Sequence, residues 1–382
     1  MVVVGAGLAG SRLVQELRRL EFAGSITLIG DEVHHPYDRP PLSKQVLAGA
    51  KTADDVALAS VESFEKANIT FLAGRRAEHV GLGAVTLDDG QVVEGDVIVV
   101  ATGVRARIPE GVEIGGPLHV LRTRDDSDRL REALAAASSV LVLGGGFIGA
   151  EVASAAITAG LETTLVEARD SLLAGALPAE VGDVVADIHR EHGVTVSTGV
   201  AVDRIESIDG RAAVTLADGS TLQADVAVIG FGTYLDAGPL RDLPDAGPGV
   251  RSHAGGAVDG MPGVYAIGDV AAWHDPHVGQ HVRREHWSTA SEHATSLAHA
   301  LMGVEPPAFV QRAVPYFWSD QYDVKIQVLG RPALADRQGW AENEAGPHTA
   351  YEFQRGDELV AAITIGGPRL LGSYRRALTN PA

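Results

Sequence analysis

Val2-Val3-Val4-Gly5-Ala6-Gly7-Leu8-Ala9-Gly10 opens the chain, and its reading decides the fold. A β-branched run stops at a glycine, and Leu13, Leu17 and Leu20 then recur at helical spacing. A second apolar run, Ile26-Thr27-Leu28-Ile29, ends at Gly30-Asp31-Glu32. Strand, glycine turn, helix, strand and acid form the fingerprint of a dinucleotide-binding βαβ unit. The three glycines have separate tasks. Gly5 makes the turn, Gly7 lets backbone approach a pyrophosphate, and Gly10 lets helix and strand pack closely. The N–H groups and positive dipole end of the helix that follows attract phosphate.

The same series returns downstream. Val140-Leu141-Val142-Leu143 runs into Gly144-Gly145-Gly146-Phe147-Ile148-Gly149, a small-residue helix follows over 150–160, and Thr163-Thr164-Leu165-Val166 ends at Glu167. Gly144, Gly146 and Gly149 repeat Gly5, Gly7 and Gly10 at one constant offset. A further pair of segments repeats as well. Val85-Thr86-Leu87-Asp88-Asp89-Gly90 leads to Val97-Ile98-Val99-Val100 and Ala101-Thr102-Gly103; Val214-Thr215-Leu216-Ala217-Asp218-Gly219 leads to Val226-Ala227-Val228-Ile229 and Gly230-Phe231-Gly232. The Asp-Gly pairs predict hairpin turns. Two copies predict two dinucleotide sites. Glu167 at the second takes ribose hydroxyls and repels a 2′-phosphate, which favours NADH over NADPH, with Arg169 close enough to oppose it. A later stretch, Gly263 to Val270, ends a strand at Gly268-Asp269, an acid that alone reads equally as a solvated turn residue or, beside two dinucleotide sites, as one that accepts a hydrogen bond from a flavin ribityl hydroxyl.

Composition narrows the classes. The chain has 382 residues, enough for two or three domains, with 45% hydrophobic and 21% charged residues as in ordinary globular chains. A formal charge of −19 argues against nucleic acid and against an anionic membrane surface as general partners. The cysteine count is 0, which removes disulfides, thiol catalysis, Cys-ligated zinc and iron–sulfur clusters bound by this chain. No apolar stretch approaches the roughly 18 residues of a membrane span, and no signal-like segment precedes Val2, so the expected location is cytoplasmic. His277 and His281 have the spacing of a metal pair, but Pro276 and Gly279 argue for a loop and no third ligand is evident, so no metal is expected. His34-His35 reads as polar surface.

Longer stretches are more specific still. These are Pro36-Tyr37-Asp38-Arg39-Pro40-Pro41-Leu42-Ser43-Lys44, Ala101-Thr102-Gly103, Tyr265 to Val270, Arg283 to Ala290 and Pro315 to Gln327. On them the chain resembles, over nearly its whole length, the FAD-dependent ferredoxin reductases of bacterial oxygenase systems. The resemblance implies an α/β fold with two dinucleotide-binding, Rossmann-like domains of the glutathione-reductase type and a small C-terminal α+β domain. It implies a discontinuous FAD domain over 1–112 and 234–304, an NADH domain over 113–233 and a C-terminal domain over 305–382. FAD would lie on the first repeat (Gly5, Gly7, Ala9, Gly10) and NADH on the second (Gly144, Gly146, Phe147, Ile148, Gly149, Glu167, Arg169, Gly230, Gly232).

By position in the same motifs, Asp31, with Glu32 as the alternate, falls at the adenosine ribose. Arg39, Lys44, Thr102, Gly103, Arg122, Gly268, Asp269 and Trp287 fall at the flavin, with Trp318 completing the surround of the ring. Glu151 and Glu285 fall beside the nicotinamide, and Lys44 would pair with Glu151 near the reactive flavin nitrogen; these three are the expected catalytic residues. The implied reaction passes electrons from NADH through FAD to a ferredoxin-type iron–sulfur partner, for a cytochrome P450 or other oxygenase. That partner would dock near Arg283, Arg284, Arg369, Arg375 and Arg376, on a monomer or weak homodimer. The family's Pro-Asn pair after the second glycine turn is replaced here by Thr233-Tyr234-Leu235-Asp236. That departure and the acidic charge keep one alternative open, a flavoenzyme acting on a small organic substrate, quinone or oxygen; an NADH-sensing interaction protein is a second alternative.

Overall fold

In the computed structural model, which describes residues 1–244, 249–342, 346, 348–366 and 368–379, each glycine fingerprint sits at the centre of a five-stranded parallel sheet. The first sheet runs in the order Val264–Ala266, Ile98–Val100, Val2–Val4, Ile26–Ile29, Ile69–Leu72. The second runs Leu118–His119, Val226–Ile229, Ser139–Leu143, Glu162–Val166, Thr195–Ser197. The sequence repeat is therefore a structural repeat. In both sheets the strand before the glycine turn lies beside the strand that closes the repeat, and ligands of open α/β sheets bind at the carboxyl ends there, where the strand order reverses. The two units differ in their fifth strand. Val264–Ala266 reaches the first sheet after the second unit is complete, whereas Leu118–His119 enters the second sheet before its βαβ unit begins.

The repeated Asp-Gly segments form three-stranded antiparallel meanders, Ala77–Val80, Ala84–Leu87, Val92–Glu94 and Val202–Ile208, Arg211–Leu216, Thr221–Ala224. Gly90 and Gly219 take φ of 82° and 84°, which the hairpins require of them. The last part of the chain forms a five-stranded antiparallel sheet, in the order Tyr316–Gln321, Val324–Gly330, Glu358–Ile365, Ala350–Arg355, Arg337–Trp340, followed by the helix Pro368–Thr379.

Packing follows the apolar spacing. Leu13, Val14 and Leu17 of helix Leu8–Arg19 are fully buried, and they share one core with Ala290, Ala294, Leu297 and Ala298 of helix Trp287–Met302. Alanines four residues apart let the two helices approach closely. Each fully buried Leu or Val contributes about 1.5–3 kcal/mol relative to exposure, as an upper estimate. A larger core joins Tyr37, Leu42 and Val46 to Val152, Leu165 and Val185 of the second unit and to Ile326, Tyr351 and Phe353 of the C-terminal sheet. The Pro36–Lys44 stretch is thus wedged between two other parts of the protein. Three expectations need adjustment. Leu20 lies just past its helix, at the C-cap, and the second helix starts at Phe147, inside the glycine turn. His35 is no simple surface residue, because its ring packs edge-on against Phe71 at 4.9 Å and lies beside Phe64 at 5.8 Å.

The glycines divide sharply by what a side chain would meet. A Cβ on Gly10 would stand 2.0 Å from the Gly5 carbonyl oxygen, and one on Gly149 the same distance from that of Gly144, whereas Gly7 and Gly146 face open space. Gly10→Ala is expected to cost about 3 kcal/mol or more, the upper range for overpacking, and Gly7→Ala to leave stability nearly unchanged. Thermal unfolding followed by circular dichroism checks this; equal melting temperatures for the two variants would show that helix and strand separate freely.

Candidate active site

Each cradle is built by its backbone. Gly5 N–H donates to Ile29 O at 2.8 Å, and Gly144 N–H to Val166 O at 2.7 Å. Their φ values, 110° and 106°, lie in the left-handed range, and a Cβ would stand 2.1 Å from Ala101 O or 2.4 Å from Gly230 O. Only glycine lets the two neighbouring turns touch there. Both helices start without a side-chain cap, at Gly7 and Gly146, so their first N–H groups are left to a ligand. Ala9 faces inward: its Cβ lies 2.9 Å from where a Cβ on Gly268 would be, which is why Gly268 is glycine. Ile148 is 43% exposed in the first turn of the second helix, and the Phe147 ring meets Phe317 of the C-terminal sheet at 5.3 Å.

The acids behind the cradles are oriented. Asp31 lines a small cavity with Gly5, Thr102 and Gly103, and accepts from Arg105 Nη2 at 2.8 Å. Glu32 is committed elsewhere, accepting from Tyr37 Oη at 2.5 Å and Arg39 Nη2 at 2.7 Å. Glu167 accepts from Gly145 N–H at 2.6 Å and from Arg169 N–H at 2.8 Å, while the Arg169 side chain stays exposed. Gly230 N–H donates to Leu143 O at 2.7 Å, and Gly232 turns the chain with φ 82°.

Between the cradles lies a buried carboxylate. Glu151, 4% exposed on the helix of the second unit, accepts from Lys44 Nζ at 2.7 Å and Ser43 Oγ at 2.5 Å on one oxygen, and from Ser319 Oγ at 2.6 Å on the other. Lys44 also donates to Pro40 O at 3.2 Å, the first residue of the 3-10 turn Pro40–Ser43 that sets its direction. Sequence reasoning singled out Lys44 and Glu151 but missed Ser43 and Ser319, although both stand inside the quoted stretches.

A second group gathers around Asp269. Arg122 Nη2 donates to its carboxylate at 3.4 Å, and Arg283 to its carbonyl at 3.2 Å. Burial raises the Asp269 carboxyl above the ordinary aspartate range, and Arg122 opposes that rise. Arg39 joins by donating to Arg122 O at 2.7 Å. Glu285 accepts from Arg283 at 2.6 Å and from Thr233 Oγ1 at 2.8 Å, so the Thr233–Asp236 segment supplies a partner to Glu285. Its Asp236 pairs with Arg76 at 2.6 Å and Arg105 at 2.9 Å.

Trp287 Nε1 donates to Asp38 Oδ1 at 2.7 Å, Arg12 lies over its ring at 5.6 Å, and Trp318 meets it edge-on at 6.1 Å. Asp38 and Arg12 were not foreseen; Asp38 stands in the quoted loop, but Arg12 carries no local signal beyond its place on the helix. The aromatic row continues through Tyr316, stacked on Trp318 at 5.7 Å, to Arg375 at 5.2 Å from the Tyr316 ring. Arg284 is tied to Asp275 at 2.5 Å, and Arg283 to Glu285, so neither is a free cation. The Arg369 side chain lies outside the described residues. Among the described residues no His, Asp and Glu cluster could hold a metal ion, and no helix is long and apolar enough to cross a membrane.

The Gly268 turn rests on a buried histidine. Gly268 N–H donates to His293 Nδ1 at 3.3 Å, and the ring stacks on Trp273 at 3.7 Å. Burial pushes His293 down to about 3. Its ordinary value is about 6.5, so below that pH the unfolded chain binds a proton that the folded protein refuses, and stability falls with pH down to about 3. His293→Gln is expected to shallow the fall in stability between pH 6.5 and 5 by up to about 1.4 kcal/mol per pH unit. Denaturant midpoints of both proteins across that range measure it; parallel curves would mean that His293 titrates normally.

Comparison with known proteins places the chain in a family. Residues 1–294 match the family described as pyridine nucleotide-disulphide oxidoreductase, and residues 316–382 match the reductase C-terminal domain. The chain is 34% identical to the ferredoxin–NAD(+) reductase component of the p-cumate 2,3-dioxygenase system of Pseudomonas putida, over 98% of this chain and 92% of that one. It is 37% identical to rhodocoxin reductase of Rhodococcus erythropolis, over 97% of this chain and 87% of that one. The solved covalent complex of putidaredoxin reductase with putidaredoxin matches with a TM-score of 0.92 at 31% identity, covering 99% of this chain and 92% of that one. The chain belongs to the pyridine nucleotide-disulphide oxidoreductase family, in its ferredoxin reductase branch with the reductase C-terminal domain.

Proposed function

We propose that this protein is an NADH:ferredoxin oxidoreductase that holds FAD on the first cradle and NADH on the second. The observation that carries this reading is the pair of matching glycine cradles, each with a helix start left uncapped, joined through the buried Lys44–Glu151 pair. The open space at Gly7 and Gly146 fits a pyrophosphate pressed against backbone at both. Domains over 1–112 with 234–304, over 113–233 and over 305–382 give this arrangement its parts.

FAD, when bound, supplies acceptance of a hydride from NADH and release of electrons one at a time. The chain's own residues do the rest. Asp31 offers a carboxylate to the adenosine ribose and Asp269 one to the ribityl chain, with Arg122 holding Asp269 in place. Lys44 presents a fixed positive charge at the isoalloxazine end, where negative charge gathers on reduction, and Glu151 holds that ammonium in position. Trp287 and Trp318 exclude water from the ring's surround, and Phe147, Ile148 and Glu285 border the nicotinamide side. With 0 cysteines the chain has no thiol to receive electrons, so they leave for a separate carrier.

Reduction of cytochrome c by NADH that depends on added ferredoxin tests the function. Fast turnover with oxygen or a quinone and none with any ferredoxin would replace it by a flavoenzyme of another class. Glu167, anchored by Gly145, is expected to make kcat/KM for NADH at least about 10-fold higher than for NADPH. Glu167→Gln should narrow that ratio, and equal ratios in the two proteins would remove Glu167 from cofactor choice. Arg375, beside the aromatic row, and its neighbour Arg376 are both exposed. Reversing both to Glu is expected to raise KM for an acidic ferredoxin, more at low salt than at high, with flavin reduction by NADH unaltered. An unchanged KM would place docking on another face.

A further inference from the structure

The Glu151 carboxylate is the end of a longer chain of buried polar groups. Gln321 Nε2 donates to Ser319 Oγ at 3.2 Å, His189 Nε2 meets Gln321 Oε1 at 3.0 Å, and Tyr322 Oη meets His189 Nδ1 at 2.8 Å. Ser319, Gln321 and His189 are at most 1% exposed. They come from different parts of the fold: His189 from helix Ala179–Glu191 of the second unit, Ser319 and Gln321 from the first strand of the C-terminal sheet.

The direction of every bond is forced. A carboxylate only accepts, so Ser319 donates to it and uses its own oxygen for the Gln321 amide N–H. The Gln321 carbonyl then faces His189, whose Nε2 must carry the proton, and the bare Nδ1 takes the Tyr322 hydroxyl. Burial pushes His189 down to about 4, which keeps the ring neutral as this pattern needs. Tyr322 adopts φ 56°, uncommon for a bulky residue, and its backbone N–H is held by Ser154 Oγ at 2.8 Å. Its ring stacks on His192 at 3.7 Å. A strained residue, four aligned donors and no break in the chain end on one carboxylate, inside a core where Val181, Val185, Ile326 and Val328 are apolar.

We infer that Gln321 and His189 are positioning residues for Lys44, acting through Ser319 and Glu151. The inference rests on the reading that Lys44 faces the flavin. Donors all pointing one way strengthen one another. They hold Glu151 in one orientation, and Glu151 holds the ammonium.

The chain has only four lysines, Lys44, Lys51, Lys66 and Lys325, so NMR detection of their Nζ groups reads Lys44 directly, with or without flavin. Gln321→Leu and His189→Leu are expected to move the Lys44 signal and leave the other three in place, while His189→Gln, which keeps a donor near the Nε2 position, restores it. In stopped flow with the FAD-loaded protein, Gln321→Leu should slow flavin reduction at saturating NADH about 3- to 10-fold, the effect of one hydrogen bond, with NADH affinity unchanged. In a Lys44→Met background the same change should add nothing. An unmoved Lys44 signal, or a Gln321→Leu loss that persists in full without Lys44, overturns the inference. Failure of the wild-type flavin to accept electrons from NADH would instead overturn the proposed function, and the Lys44 signal would still decide the positioning claim.

Discussion

A charge that is 4% exposed organises this molecule. Removing a carboxylate from water costs several kcal/mol after relaxation, and the cost is met only if its partners are close and complete. Glu151 meets that condition with donors drawn from separate places: Ser43 and Lys44 from the loop beside the first cradle, Ser319 from the C-terminal sheet, and the carboxylate itself from the helix behind the second cradle. No one of these segments could satisfy it alone. The same core that buries Leu42 and Val46 also takes in Val152 and Ile326, so apolar packing and the polar junction hold the same three parts together. Packing supplies most of the stability. The junction specifies the register, because a slip of any partner would leave a buried charge unpaired.

The parts of the fold that were legible in the sequence are those set by local rules. Val2–Val4, Gly5, Gly7 and Gly10 announce a strand, a turn and a helix because the steric demands act within one short segment, and the second copy repeats them. Leu13 and Leu17 reveal a buried face by spacing alone. The site was legible to a lesser degree. Lys44 and Glu151 are 107 positions apart, and Glu151 and Ser319 are 168 apart. No periodicity connects residues at such distances, so only resemblance to known sequences could suggest the first pair, and nothing suggested the second. Arg12 over Trp287 and Arg105 on Asp31 are of the same kind, contacts between elements brought together late by the chain's path.

The two units show how one supersecondary design is put to separate uses by its surroundings. Their glycine turns match closely in φ and in close contacts, yet the helix after the first packs against helix Trp287–Met302, whereas Phe147 after the second meets Phe317 of the C-terminal sheet. What packs beside each cradle differs. The Thr233–Asp236 segment follows the same logic, supplying partners to Glu285, Arg76 and Arg105 from beside the first glycine turn.

The origin of the fifth strands bears on how the protein is made. All strands of the second sheet lie between Leu118 and Ile229, but the first sheet lacks its outer strand until Val264–Ala266 has been added. A growing chain therefore finishes its inner unit while the N-terminal one still has an open edge along Ile98–Val100. An open edge is a template for wrong pairing, so for the length of chain between Val100 and Val264 the nascent protein is most exposed to association with other chains. Once Val264–Ala266 docks, the edge along Ile98–Val100 is paired, and helix Trp287–Met302 packs against the first helix of the unit.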